Sequence, residues 1–269
     1  MKKIAHIANS RLPKSSLDPV RQVPLWKQYT HAAREVLVES IWPTRCGICD
    51  SPGEVLCEKC RRNLPYIDYW NACRHCAAPF GRILCSECNP VSLKSLGERQ
   101  LPFESCTSAT VFNANSGALV SVYKDYGERR LAGVLAEIMA PLVNPLWLEQ
   151  NRKKGEIALT YIPATQGAFR RRGFDHAELL AEKLGEVLCL PCISLLERPV
   201  RKDQRKLGRS GRLHNMEKSL KVLDNAYVPE EILLIDDVYT TGSTLIAASK
   251  TLTTSGAKSI SCMTFARVF

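Results

Sequence analysis

Eight of the twelve cysteines fall between Cys46 and Cys88 as four C-x-x-C pairs. Two residues between cysteines let both sulfurs of one tight knuckle face the same ion, so two knuckles supply a tetrahedral set of four thiolates. Cys46, Cys49, Cys57 and Cys60 form a C-x2-C-x7-C-x2-C set, and Cys73, Cys76, Cys85 and Cys88 a C-x2-C-x8-C-x2-C set. Two Zn2+ ions are expected, and both are structural, because four thiolates leave no open coordination position. The similar spacings favour sequential sites, one per set; a cross-braced arrangement, first pair with third and second with fourth, stays open. Thiols in this pattern suit a reducing cytoplasm better than a disulfide framework.

The second constellation is "ILLIDDVYTTGST", from Ile232 to Thr244. Four apolar residues read as a central strand buried on both faces, so Asp236 and Asp237 are expected at its mouth, where open parallel sheets bind ligands. Thr240, Thr241, Gly242, Ser243 and Thr244 then give a hydroxyl-rich turn whose glycine lets backbone approach a ligand. A helix begins at once, and its free N–H groups and dipole suit a monophosphate. Two acids beside that cradle repel a second phosphate and accept hydrogen bonds from sugar hydroxyls, which points to a ribose 5-phosphate. No Gly-Lys-Ser/Thr follows, so the turn is not a Walker loop.

These residues resemble the signature of type I phosphoribosyltransferases, which bind 5-phosphoribosyl 1-pyrophosphate (PRPP) with Mg2+. The resemblance implies that Asp236 and Asp237 hold the ribose hydroxyls and that Thr240 through Thr244 hold the 5-phosphate. "VYKDYGERRLAGVLAE" around Lys124, "PATQGAFRRRGFDHAELLA" and "RKDQRKLGRSGRLHNMEKSL" resemble stretches of the ComF family. In the second of these, Asp175 and His176 stand where the family carries Asn-Gln. The resemblance places a pyrophosphate loop at the turn Ala164–Gly167, which includes Thr165. It leaves Lys124, Arg170, Arg171 and Arg172 as cations for the pyrophosphate. It further implies a late competence protein that handles single-stranded DNA during natural transformation, and it leaves room for protein partners in the DNA-uptake machinery. An active transferase that moves ribose 5-phosphate to a small acceptor is the alternative.

The elements that must position these residues follow from periodicity. From about Ser105 onward strands alternate with helices: strands "SATVFN", "EIALTYIP", "EILLID" and "SISCMTFARV", and helices "GERRLAGVLAEIMAPLV", "DHAELLAEKLGEVL" and "STLIAASKTLTTSG". That alternation predicts an α/β fold, a parallel sheet flanked by helices, here of the type I phosphoribosyltransferase kind, preceded by a small zinc-ribbon module. The expected organisation is an extension over 1–42 with one amphipathic helix, a double zinc ribbon over 43–90, and a phosphoribosyltransferase-like domain over 105–269.

A formal charge of +10 favours polyanionic partners. Basic and aromatic residues interleave in the cysteine module at Lys59, Arg61, Arg62, Tyr66, Tyr69, Trp70 and Arg74, a pattern that suits single-stranded nucleic acid; a purely structural brace is the other reading. Residues 201–215 hold six Lys or Arg against one Asp, among them Arg205, Arg209 and Arg212, and suit a mobile hood or a DNA contact. His176 and His214 read as surface residues. Cys106 and Cys262 are expected in the core, and Cys189 and Cys192 as buried thiols beside a proline turn. No apolar run reaches membrane-spanning length and the basic start lacks an apolar stretch before a cleavage site, so a cytoplasmic protein without membrane insertion is expected.

Overall fold

The computed structural model describes residues 43–154, 157–199 and 220–269. The helix expected within 1–42, and Arg205, Arg209, Arg212 and His214, lie outside the described residues. In the cysteine module a short helix α1 (Glu58–Arg62) joins two ligand positions, and α2 (Pro90–Ser95) starts under the side chain of Asn89, which accepts from the amides of Val91 and Ser92. The sheet then follows as β1 (Ser105–Val111), α3 (Ala114–Lys124), α4 (Leu131–Met139) with a 3-10 turn at Ala140–Leu142, α5 (Pro145–Lys154) and β2 (Ile157–Tyr161). After these come α6 (Gln166–Arg172), α7 (His176–Leu188), a small antiparallel pair β3 (Leu196–Glu197) and β4 (Lys221–Val222), β5 (Glu231–Tyr239), α8 (Ser243–Thr254) and β6 (Ser259–Arg267).

The four main strands run parallel in the order β1-β6-β5-β2, so β5 is interior, as its apolar run demands. Successive side chains point to opposite faces. Leu233, Ile235, Met263 and Phe265 therefore enter one core with α3, α4 and α7, whereas Ile232, Leu234, Ile260 and Cys262 enter the other with α8. The "SATVFN" strand begins earlier than expected and stops at Val111, because Asn113 opens α3 with a reciprocal capping box to Ser116. Cys106 and Cys262 are buried in adjacent strands, as expected of core thiols.

The cysteine module is folded onto this sheet, and Arg45–Phe269 forms one compact unit. Cys46, Leu56, Cys60 and Leu64 join the core on the α3 side, while Cys73, Cys76, Ala77 and Ala78 join the core on the α8 side. The link between them runs antiparallel beside β1: Ile67 N–H donates to Ala109 O at 3.0 Å, and Val111 N–H donates to Pro65 O at 2.8 Å. At the other end of the sheet Leu159 N–H donates to Pro191 O at 2.8 Å and Ile193 N–H donates to Leu159 O at 2.9 Å. This pairing places Cys192 at a sheet edge, half-buried. It leaves Cys189 exposed as the left-handed C-cap of α7 rather than buried beside the proline.

Gly185 lets α7 approach that edge segment, since a Cβ there would lie 2.9 Å from Leu190 O. The obstacle is backbone, so relief requires the helix to shift. Gly185→Ala is expected to destabilise by about 1–3 kcal/mol, as overpacking does, measured by equilibrium denaturant unfolding.

Candidate functional site

Both cysteine sets are drawn together in sequence order. The sulfurs of Cys46, Cys49, Cys57 and Cys60 lie within 4.8 Å of one another, and so do those of Cys73, Cys76, Cys85 and Cys88. A tetrahedral ion with metal–sulfur bonds of about 2.3 Å has sulfur–sulfur edges of about 3.8 Å. The Cys49–Cys57 and Cys73–Cys88 separations are 3.6 Å and the Cys76–Cys85 separation is 3.5 Å, which fits that cage. The pairing is sequential, and the four-thiolate sets can hold two structural zinc ions.

Three distant stretches meet at the acid pair. β2 ends at Tyr161, opposite Ile235, so on that side Asp236 is the first residue past the ladder. On the other side β6 continues alongside to Arg267, and β5 extends to Tyr239 instead of stopping at its acids. Asp237 is buried, and Lys124, from the end of α3, donates to its Oδ2 at 2.6 Å. His176, from the start of α7, brings Nε2 to 3.4 Å of the same oxygen. His176 is therefore 6% exposed and part of the site, not a surface residue. Its other nitrogen faces Arg172 Nη1 at 3.3 Å. A guanidinium only donates, so Nδ1 accepts and the ring proton belongs on Nε2, facing Asp237.

This arrangement separates the two carboxyls electrostatically. Burial works against the charge on Asp237, yet the His176 contact and the Lys124 ammonium outweigh it and hold its carboxyl well below the usual range. Burial, with the neighbouring Asp237 charge second, pushes Asp236 well above it. Asp236 Oδ1 accepts from Asp237 N–H at 2.9 Å, and its Oδ2 has no hydrogen-bond partner among the described residues. His176, Asp236 and Asp237 could together face a cation, but Lys124 already brings one to Asp237. The oxygen left for a hydroxyl is on Asp236.

Beyond the acids, Thr240 and Thr241 are exposed, and Thr241 Oγ1 lies 2.8 Å from Ser243 Oγ. Gly242 is the N-cap of α8 with φ of 78°, and a Cβ there would meet the Tyr239 ring at 2.3 Å. Glycine is thus required twice over, by a left-handed backbone and by a ring packed beneath it. Gly242 gives α8 no side-chain cap; Thr241 Oγ1 accepts from Ser243 N–H at 3.4 Å, and the next amides of the first turn face the threonine turn.

The other expected site residues divide. Thr165 is the N-cap of α6, accepting from Ala168 N–H at 3.2 Å, so the expected pyrophosphate turn at Ala164–Gly167 runs into a short helix. Of the three arginines on that helix, Arg170 and Arg171 are exposed, whereas Arg172 turns inward to His176 and to Asp125, 3.2 Å away. Asp175 caps α7 and also accepts from Ala164 N–H at 2.6 Å, joining the α7 start to the β2 end. Arg198 escaped sequence reasoning. Its Nε donates to Pro163 O at 2.7 Å, and burial lowers its pKa against the opposing charges of Asp236 and Asp175. Its only sequence signal was position at the head of a basic run.

Two clefts, of about 560 and 1010 Å3, open beside the first residues of β1 and β6 and take in neither acid nor any residue of the threonine turn. The acid pair lies at the carboxyl end of β5, away from both. In the cysteine module Lys59 and Arg74 are exposed, but Arg61 pairs with Glu137 at 3.2 Å and Arg62 with Glu58 at 2.6 Å. Trp70 stands 69% exposed, with Tyr69 edge-on to it and the Arg82 guanidinium 5.9 Å from its ring. No single helix among the described residues is long and apolar enough to cross a membrane.

The metal sites predict two zinc ions per folded chain by elemental analysis, with a value of one or none contradicting the paired cages. The acid pair predicts opposite responses to amide substitution. Asp236 has a folded-state pKa above its unfolded value, so its ionisation costs stability, and that cost vanishes below about pH 4, where the unfolded group is also protonated. Asp236→Asn should raise the melting temperature at pH 7 and lose that advantage in acid. Asp237 has a depressed pKa, so its contribution is present above about pH 4 and lost as pH falls through its folded value. Asp237→Asn should destabilise by about 3 kcal/mol at pH 7, because it strands the Lys124 charge. Thermal melts across pH read both signs.

Comparison with known proteins follows the same outline. Competence protein ComFC of Streptococcus pneumoniae is 27% identical over 222 residues, covering 82% of this chain and 87% of that protein. Competence protein ComFC of Bacillus subtilis is 27% identical over 239 residues, covering 82% of this chain and 94% of that protein. Competence protein F of Haemophilus influenzae is 36% identical over 112 residues, 39% of this chain and 49% of that protein. No family model matches the chain. Matches covering 82% of the chain extend past the sheet into the residues before Ser105, so the similarity to the ComFC proteins takes in the cysteine module as well as the sheet.

Proposed function

We propose that the protein binds PRPP with Mg2+ at the carboxyl end of β5 and acts in competence, on single-stranded DNA. The observation that carries the first half is the convergence of Lys124 and His176 on Asp237 of the acid pair, with Arg172 held behind His176, beside the start of α8. In this reading the 5-phosphate lies on the Thr240–Thr244 turn and the α8 N-terminus. A ribose hydroxyl donates to Asp236 Oδ2. Asp237 stays with Lys124 and His176, and its role is to fix the positions of that cation and that imidazole.

The raised pKa of Asp236 fits that role, since a hydroxyl donated to the carboxylate stabilises its charged form. Arg198, which feels the Asp236 charge, and Arg172, held against His176, suit the pyrophosphate end. Mg2+ bound with the ligand would supply further charge neutralisation at the pyrophosphate. Excess cation at that end would also favour pyrophosphate departure if the ligand is turned over.

The competence role rests on the names of the relatives, and the DNA reading on the exposed ring pair. Trp70 and Tyr69, with Arg74 and Arg82 beside them, offer a stacking platform with flanking charge, worth about 1–3 kcal/mol per stacked base. Arg61 and Arg62 are weaker candidates, because each already faces a glutamate.

Calorimetric titration with PRPP and Mg2+ tests the first half, alongside pyrophosphate release. Binding is expected, and the double substitution Asp236→Asn with Asp237→Asn should abolish the PRPP-induced rise in melting temperature; an unchanged rise would remove the site. For the second half, single-stranded oligonucleotide binding should weaken with salt and fall at least about tenfold in Trp70→Ala. Equal binding by that variant would exclude the ring pair.

A further inference from the structure

Arg267, the last residue of β6, is a cation buried to 3% exposure at which the second cysteine set and the threonine turn meet. Its main chain is fixed in the ladder between Val111 and Tyr239. Its Nε donates to Cys76 O at 3.0 Å, and Cys76 is one of the four thiolates of the second set. Its Nη1 donates to Thr240 O at 2.8 Å and to Val268 O. Its Nη2 lies 3.6 Å from Glu87, which stands between the ligands Cys85 and Cys88. The guanidinium stacks on the Tyr239 ring at 3.9 Å, and that ring is the one packed beneath Gly242.

We propose that Arg267 is a positioning residue that couples occupation of the second four-cysteine site to the geometry of the Thr240–Thr244 turn. This inference rests on the phosphoribosyl reading of the turn. A planar guanidinium has a rigid fork of donors, so it cannot keep Cys76 O and Thr240 O together once one of them moves. Four thiols hold their places around a metal, and without one they lose the force that sets the Cys76 carbonyl. A buried guanidinium N–H left without an acceptor is costly, and it relaxes by taking Tyr239 and the Thr240 carbonyl with it. The amides of Thr241 through Thr244 follow directly after that carbonyl. The first set packs instead on α3, where Gly47 meets Leu119 and Val122, and has no tie to the turn among the described residues.

Linkage makes the coupling reciprocal: a ligand on the turn must retain the metal at the second set. The experiment uses the zinc-loaded full chain, exposed to a chelator and a thiol-alkylating reagent with and without saturating PRPP and Mg2+, and reads each cysteine by mass spectrometry. PRPP is expected to slow labelling of Cys73, Cys76, Cys85 and Cys88 at least about fivefold and to leave the first set within about twofold of its ligand-free rate. Arg267→Lys, which keeps the charge without the fork, should lose the difference and weaken PRPP binding by a similar factor. If calorimetry finds PRPP bound and both sets respond equally, or neither responds, the coupling is wrong while the binding site stands. The coupling is equally wrong if Arg267→Lys folds and keeps the difference. If that variant does not fold, the native comparison alone decides. Absence of PRPP binding takes down the site and the coupling together.

Discussion

One buried carboxylate sets the geometry around it. Asp237 is charged at the end of an apolar strand, a position that is unfavourable unless cations and donors are brought to it. Lys124 arrives from the end of α3 and His176 from the start of α7, so the strand, the two helices and the loop between them are held in register by a single oxygen. The supporting bonds point the same way: Tyr123, one residue before Lys124, donates to His176 O at 2.5 Å, and Asp175, one residue before His176, ties α7 to the end of β2. Asp236 is thereby left as the acid with an unengaged oxygen. Adjacent, chemically identical residues acquire different roles from their surroundings.

The cysteine module is part of the body of the fold. Its first cysteine set contributes Cys46, Leu56, Cys60 and Leu64 to one face of the sheet, and its second contributes Cys73, Cys76, Ala77 and Ala78 to the other. Few large apolar residues occur in the module, and metal bound at the two sets, on the order of 10 kcal/mol per site, would supply what burial does not. The sheet benefits in turn, since residues beside the knuckles complete both of its cores.

Much of this was legible in the sequence because it is local. The β5 run, the α8 start and the cysteine spacing are each contained in a few consecutive residues, and each appears where periodicity or ligand geometry puts it. α3 was not recognised, because Asn115, Ser116 and Gly117 dilute its first turn, although Asn113 and Ser116 are a capping pair visible in the text of the sequence. α6 is short and carries three consecutive arginines, so no helical periodicity announces it. His176 and Arg198 were not resolvable in that way. Their roles come from facing residues some sixty and forty positions away in the chain, and no local pattern encodes such a contact.

The strips at Pro65–Ile67 and Pro191–Ile193 occupy the outer backbone of β1 and β2. Each is attached at only a few hydrogen bonds, and the first is strung between the two metal knots. A chain that has lost its zinc would therefore bare the flank of β1, and an unpaired strand flank recruits other chains. Occupation of the two cysteine sets would then bear on whether copies stay apart or pair through β1, quite separately from anything bound at the far ends of the strands.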